Sequence, residues 1–304
     1  MTNLMSSQQQ FASHQAYFVC PSIQRDGWLP FDQVCLPVDD LGFRQGVTAV
    51  ERMRTYHGVP FRLNDHLRRW AGTLQVVRIG DVPPPETLGQ VIQEALARNA
   101  TLVAAEKEVG ITMWATPGIQ PGAAATFAVH LNRIDHAAVE ERQSTGQPVV
   151  LCDVVQPPTQ TWPRHAKVRC RLHYYLADAH ARSLVPDATG VLADCDGSWT
   201  ESSVASIALV SGREIAFAPA AQVLPGITQL HVRTLAKDLA IDVTERRLTT
   251  DRIARADAML LMGTDTGLWF ANRVHDSRAF VIADFAGVQQ CELVTELQQR
   301  FVPK

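Results

Sequence analysis

Leu224-Pro225-Gly226-Ile227-Thr228 sets a proline and a glycine immediately before an expected helix. Gly226 lets the backbone turn sharply. A helix follows at once and runs through Leu239, with Leu230, Leu235 and Leu239 as its expected buried stripe. The first amides of a helix have no partner inside it. Those of Ile227 and Thr228 therefore point outward and offer a place for an anion such as a phosphate. An ordinary helix start reads the same way, so the motif needs company.

Company lies on both sides. Gly263-Thr264-Asp265-Thr266 closes a buried strand expected over Ala258 to Met262 and forms a second cradle of amides and hydroxyls. Thr200-Glu201-Ser202-Ser203 puts one glutamate in a Ser/Thr turn between two strands, where a solvated side chain is the plain alternative. Upstream, Asp65-His66-Leu67-Arg68-Arg69 presents two adjacent arginines on a helix. They must point in different directions, and one of them can reach inward to a phosphate bidentately.

The chain has 304 residues and 28 Lys plus Arg, yet only four lysines, at 107, 167, 237 and 304. Lys304 is terminal, Lys107 sits in the charge cluster Glu106-Lys107-Glu108, and Lys237 falls on the polar side of its helix. Lys167 differs: Arg164, His165, Arg169 and Arg171 surround it in sequence. Neighbouring cations depress an ammonium pKa and favour the free amine that condenses with a carbonyl. A surface lysine in an arginine-rich patch is the other reading.

Composition excludes several classes. Hydrophobic residues make up 46% and charged residues 19%, a globular mixture. A net charge of -3 and a pI near 6.4 leave no electrostatic footprint for nucleic acid. No apolar run approaches the ~20 residues of a membrane span, and Met1 to His14 lack the pattern of a secretory signal. A cytoplasmic enzyme or binding protein is expected. Cysteines at 20, 35, 152, 170, 195 and 291 form no CxxC pair, so free thiols and no metal site are expected.

The length predicts about two domains. Residues 1–14 read as a loose tail and 15–131 as a small α/β domain. Its strands are expected at 16–20, 46–56, 109–115 and 126–131. His57-Gly58 is a tight turn, and Asn64 caps a helix to about Val77 that buries Leu67, Trp70 and Leu74. The prolines at 83–85 open a second helix through Ala97. Residues 132–147 are polar and make the best linker. The larger domain, 148–304, begins with a strand to Val155. It continues through a helix from Arg171 to Ser183, three or four strands around Gly190, Ile207 and Ile215, and a closing helix from about Val288 to Phe301.

Taken in order, Arg69, Lys167, Glu201, Leu224–Thr228 and Thr264 resemble the class IV aminotransferase family, the fold type IV pyridoxal-phosphate enzymes. The resemblance runs from about Ala16 to about Val274. It includes Asp40-Leu41-Gly42-Phe43, Glu51 to Tyr56 and Phe61 to Arg69. It implies a two-domain α/β (α+β) fold of the D-amino-acid aminotransferase type and a homodimer. It also implies pyridoxal 5'-phosphate as cofactor, with an amino donor and a 2-oxo acid as small-molecule partners. By the same resemblance, Lys167 would hold the cofactor as a Schiff base and move the proton at the substrate α-carbon. Glu201 would sit against the pyridine nitrogen and keep it protonated. Arg69, the amides of Ile227 and Thr228 behind Gly226, and Thr264 after Gly263 would hold the phosphate, while Leu224 packs on the ring.

The sequence also departs from the family. Val47-Thr48-Ala49 stands where Gly-Asp-Gly is common, and Val50 where an aromatic often lines the pocket. Gly110 to Ala115 carries no arginine to grip an α-carboxylate, and Ser206 replaces an asparagine. Arg171 and Leu172, four and five residues after the lysine, look more like the aminodeoxychorismate lyases. Three readings stay open: a transaminase, a lyase releasing pyruvate, and a catalytically silent member kept for binding.

Overall fold

In a computed structural model, which describes residues 13–288 and 291–302, the chain divides into two compact units. One runs to Ile134 and also takes His165–Cys170; the other takes Asp135–Arg164 and the chain from Arg171 onward. The sequence reading instead runs its second domain unbroken from residue 148.

The first unit is built on an antiparallel sheet. Its strands are β1 (Gln15–Cys20), β2 (Arg25–Pro30), β3 (Ala49–Tyr56), β4 (Val59–Pro60), β5 (Gly110–Thr116) and β6 (Thr126–Asn132). Among the described residues the order is β2-β1-β6-β5-β3-β4. Period-two burial along β1 marks a strand with one face on the core. His57 and Gly58 both adopt left-handed φ, 52° and 74°, the geometry that suits a two-residue hairpin between β3 and β4. Helices Leu63–Val77 and Pro85–Arg98 lay Leu67, Trp70, Leu88 and Ile92 over Met53, Ile111, Met113 and Phe127. Leu74 is only partly buried. Arg62, at φ 50°, takes the cap position expected of Asn64, which lies in the first turn.

The second unit holds a larger mixed sheet. Its strands are β7 (Gln147–Val155), β8 (Thr189–Ala193), β9 (Trp199–Ser202), β10 (Ser206–Ser211), β11 (Glu214–Phe217), β12 (Asp242–Glu245), β13 (Ala258–Gly263), β14 (Gly267–His275) and β15 (Val281–Asp284). The order is β12-β11-β10-β13-β14-β7-β8-β9, with β15 on β14. β7 pairs in parallel with β8, and helix Leu172–Leu184 makes the crossover such a pair requires. β13 is buried at every position, so it reads as an unbroken apolar run.

Several expectations need correction. The expected linker contains helix His136–Thr145, started by the Asp135 carboxylate accepting from the Ala138 amide at 3.1 Å. The helix after Gly226 spans Ile227–Asp238, but it buries Ile227, Thr228, Gln229, Val232 and Ala236. Leu230 is exposed, and Leu235 and Leu239 are half-buried. The buried face is thus shifted round the helix from the one the leucines mark. The expected tail lies outside the described residues up to position 12; His14 is buried, its Nε2 accepting from the Leu131 amide at 3.0 Å. Among the described residues no helix is long and apolar enough to cross a membrane.

Candidate active site

Lys167 lies in the short segment that joins the first unit. Its own N–H donates to Thr73 Oγ1 at 3.1 Å, and its carbonyl accepts from the Val50 amide at 3.0 Å. The Arg169 amide donates to the Thr48 carbonyl at 3.0 Å, and Val168 bridges Ala49. The lysine backbone is thus clamped between a helix and the entry to β3, while its side chain is half-buried. The unusual Val47-Thr48-Ala49 stretch is the clamp: Ala49 starts β3 and pairs with Ala115 on its other side.

Arg69 turns inward from helix Leu63–Val77, whereas Arg68 points outward to Asp65 at 2.9 Å. Two adjacent helical residues cannot share a face. Arg69 Nε and Nη2 donate to the two oxygens of Glu51 at 3.0 and 2.5 Å. His66 Nδ1 lies 2.9 Å from Glu51 Oε1. Burial alone would raise the Glu51 pKa, but Arg69 and the hydrogen bond from His66 together hold it well below the usual carboxylate range. Burial also lowers the pKa of His66, against the pull of Glu51 and with that of Arg69 and Lys167. A neutral His66 then donates from Nδ1 to the carboxylate. Neither Glu51 nor His66 was singled out for chemistry from the sequence. Their signal is the spacing of His66 and Arg69, i and i+3 on one helix face.

In the second unit Glu201 is not in a turn. It is the third residue of β9 and is buried. Its Oε1 accepts from the Tyr174 hydroxyl at 2.7 Å and from Gln156 Nε2 at 3.2 Å. Its Oε2 accepts from the Leu224 amide at 3.1 Å. That last bond joins the glutamate to the helix-start motif. β9 and β10 meet at Glu201 and Ser206, and a Cβ on Gly226 would lie 2.7 Å from Ser206 Oγ. A side chain at 226 would press on the Ser206 hydroxyl, which would have to turn aside. No side chain caps the helix that follows, so the amides of Ile227 and Thr228 are left to other acceptors.

Gly263 completes this cluster. A Cβ there would lie 2.3 Å from the Val204 carbonyl oxygen, so glycine lets the end of β13 pass the loop after β9. Thr264 follows in the turn to β14, and Thr266, buried, accepts at its carbonyl from Gln143 Nε2 at 2.6 Å. The structure thus gathers Glu201, Leu224, Gly226 and Gly263 in the second unit, with Ile227, Thr228 and Thr264 beside them in the chain. Arg69 and Lys167 belong to the first. Tyr174 and Gln156 are additions that sequence reading missed. Tyr174 carried one usable signal, its i+3 spacing from Arg171, whose guanidinium lies 4.8 Å over the tyrosine ring.

The aminodeoxychorismate lyase of Bacillus subtilis (strain 168) is 24% identical over 249 residues, 74% of this chain and 76% of that protein. The branched-chain amino acid aminotransferase of Escherichia coli superposes with a TM-score of 0.76 at 17% identity, covering 94% of this chain and 92% of the other. The branched-chain aminotransferase of the thermophilic archaeon Thermoproteus uzoniensis gives 0.77 at 19% identity, covering 95% and 96%. At these identities the superpositions establish the fold, a mixed α/β architecture shared with the branched-chain enzymes. Residues 48–274 match the family model described as amino-transferase class IV. The chain therefore belongs to the class IV aminotransferases, a family of transaminases and related lyases.

Proposed function

We propose that this protein is a pyridoxal-phosphate-dependent transaminase that moves an amino group between an amino acid, or an amine, and a 2-oxo acid. The observation that carries the reading is Glu201, a buried carboxylate ringed by donors and tied to the amide of Leu224. The fit to the cofactor is chemical. A helix start without a side-chain cap suits a phosphate. A buried carboxylate suits a protonated ring nitrogen. When bound, pyridoxal phosphate supplies an electrophilic carbonyl and a ring that accepts electron density from the substrate α-carbon.

The chain's own residues supply the rest. Lys167 Nζ anchors the cofactor, then takes the proton from the α-carbon and returns it. The Glu201 carboxylate holds the proton on the ring nitrogen. The amides of Ile227 and Thr228, the Arg69 guanidinium and the Thr264 hydroxyl hold the phosphate, with Gly226 and Gly263 making room for the chain around it. Glu51 orients Arg69, and Leu224 supports the ring. The protein acts as a homodimer.

A lyase that releases pyruvate is the second reading, favoured by the Bacillus subtilis relative and by Arg171-Leu172 after the lysine. The test is the visible absorbance of the purified protein with pyridoxal phosphate, compared with Lys167→Ala. The expected result is a band absent from the variant. Amino donors should convert that band to the pyridoxamine form, and a 2-oxo acid should restore it. Pyruvate release from a suitable donor with the band unchanged favours the lyase. A wild-type protein without the band, or a Lys167→Ala protein that keeps it, overturns the reading.

A further inference from the structure

The hydrogen bonds on Glu201 come from three different elements. Tyr174 stands on helix Leu172–Leu184, Gln156 follows β7, and Leu224 precedes the helix Ile227–Asp238. They are not equal. The phenol is the closest donor, at 2.7 Å, and hydrogen bonds from O–H to a carboxylate are strong at that distance. Gln156 Nε2 lies 3.2 Å from Glu201 Oε1 and is shared with Thr200 Oγ1 at 3.0 Å. The Leu224 donor is main chain, so no side-chain change removes it.

Tyr174 is itself held in place. The Arg171 guanidinium covers its ring and also donates to the carbonyl of Ser203, two residues beyond Glu201. One arginine therefore ties the start of the tyrosine helix to the end of the glutamate strand. Burial, then the charge of Glu201, raises the phenol pKa well above its ordinary value, against the opposing pull of Arg171 and Arg164. The hydroxyl stays a donor across the working range of pH.

We propose that Tyr174 is a positioning residue for Glu201: its hydroxyl fixes the carboxylate in one rotamer and keeps it ionised. The role in turnover rests on the functional reading above, in which Glu201 serves the cofactor ring. A buried carboxylate that accepts from several donors is stabilised as the anion. Without the phenol, Glu201 loses its closest donor, while the Gln156 amide and the Leu224 main-chain amide stay in place. It becomes more basic and freer to turn.

The test uses Tyr174→Phe, which keeps the ring that Arg171 covers. The apoprotein is labelled with 13C at glutamate carboxyls, and the Glu201 signal is assigned as the one missing in Glu201→Gln. In Tyr174→Phe that signal is expected to titrate about one pH unit higher than in wild type. In the loaded enzyme, kcat for the best amino donor should fall about ten-fold with KM little changed. Gln156→Leu, which removes the weaker donor, is expected to move the titration the same way by less. An unmoved titration in Tyr174→Phe, a larger shift in Gln156→Leu, or a moved titration with unchanged kcat each overturns the assignment. A protein that binds no pyridoxal phosphate refutes the functional reading instead, while the apoprotein titration still decides the contact.

Discussion

Glu51 has no exposed surface, and its side-chain partners Arg69 and His66 leave little choice about its charge. A neutral group at position 51 removes the carboxylate to which the nearly buried Arg69 guanidinium donates. Glu51→Gln keeps the shape and removes the charge. It is expected to destabilise the protein by about 3–5 kcal/mol, read as a lower urea midpoint, and to weaken pyridoxal phosphate binding by releasing Arg69. An unchanged midpoint would show that the pair contributes no net stability. At this scale the sequence was readable where chemistry demanded one residue type. The inward arginine of the Arg68-Arg69 pair follows from helix faces, whereas the sharp turn expected at Gly226 is absent: its φ of -63° and ψ of 130° suit any residue. The partners of those residues were not readable, because Glu51 and Tyr174 reach their sites only through strand pairing and helix docking.

Arg52 on β3, Thr112 on β5 and His130 on β6 form a polar row across the first sheet. Arg52 pairs with Thr112, and Thr112 with His130. Arg52 donates to Thr112 Oγ1 at 3.2 Å and to Asn132 Oδ1. Phe31 lies between two imidazoles, 4.8 Å from His14 and 4.6 Å from His130, centroid to centroid. Burial first, then the charges of His14, Arg52 and Arg169, brings His130 down to about 4, against the hydrogen bond to the Leu131 carbonyl. The sign follows from linkage. Below about pH 6.5 the unfolded chain gains a proton that the folded chain refuses until about pH 4. The contribution is present above that window and is lost as pH falls through it, by about 3 kcal/mol. In His130→Gln the stability gap to wild type should close as pH drops from 6.5 to 4.5, seen in melting temperatures. A constant gap would assign the shift elsewhere. Element existence was legible wherever the period was clean, as in β1, β13 and the helix beginning at Pro85. Helix His136–Thr145 escaped notice because it buries none of its residues and shows no apolar stripe.

For the whole molecule, motifs spread along the chain pointed to the family without revealing that the lysine segment joins the first unit. That grouping depends on three main-chain hydrogen bonds of the segment to residues more than 90 positions away, and no local pattern encodes them. The same limit applies to what covers the helix after the lysine. Ala177 and Ala181 pack it against the sheet, leaving Leu172, Tyr175 and Leu176 exposed at 67, 69 and 47%. These lie at i, i+3 and i+4, a contiguous apolar stripe on an outer helix face. Scattered surface hydrophobics need no explanation, but a stripe of three large ones marks a contact surface. In a family that resemblance implies to be homodimeric, a second copy of this chain is the expected cover. Each large apolar side chain so buried contributes about 1.5–3 kcal/mol before the cost of association. Wild type should therefore sediment as a dimer. Tyr175→Lys combined with Leu172→Gln should shift it toward monomer while leaving the far-ultraviolet circular dichroism unchanged, since neither side chain reaches the core. A monomeric wild type, or a double variant that remains a dimer, would place the subunit interface away from this helix.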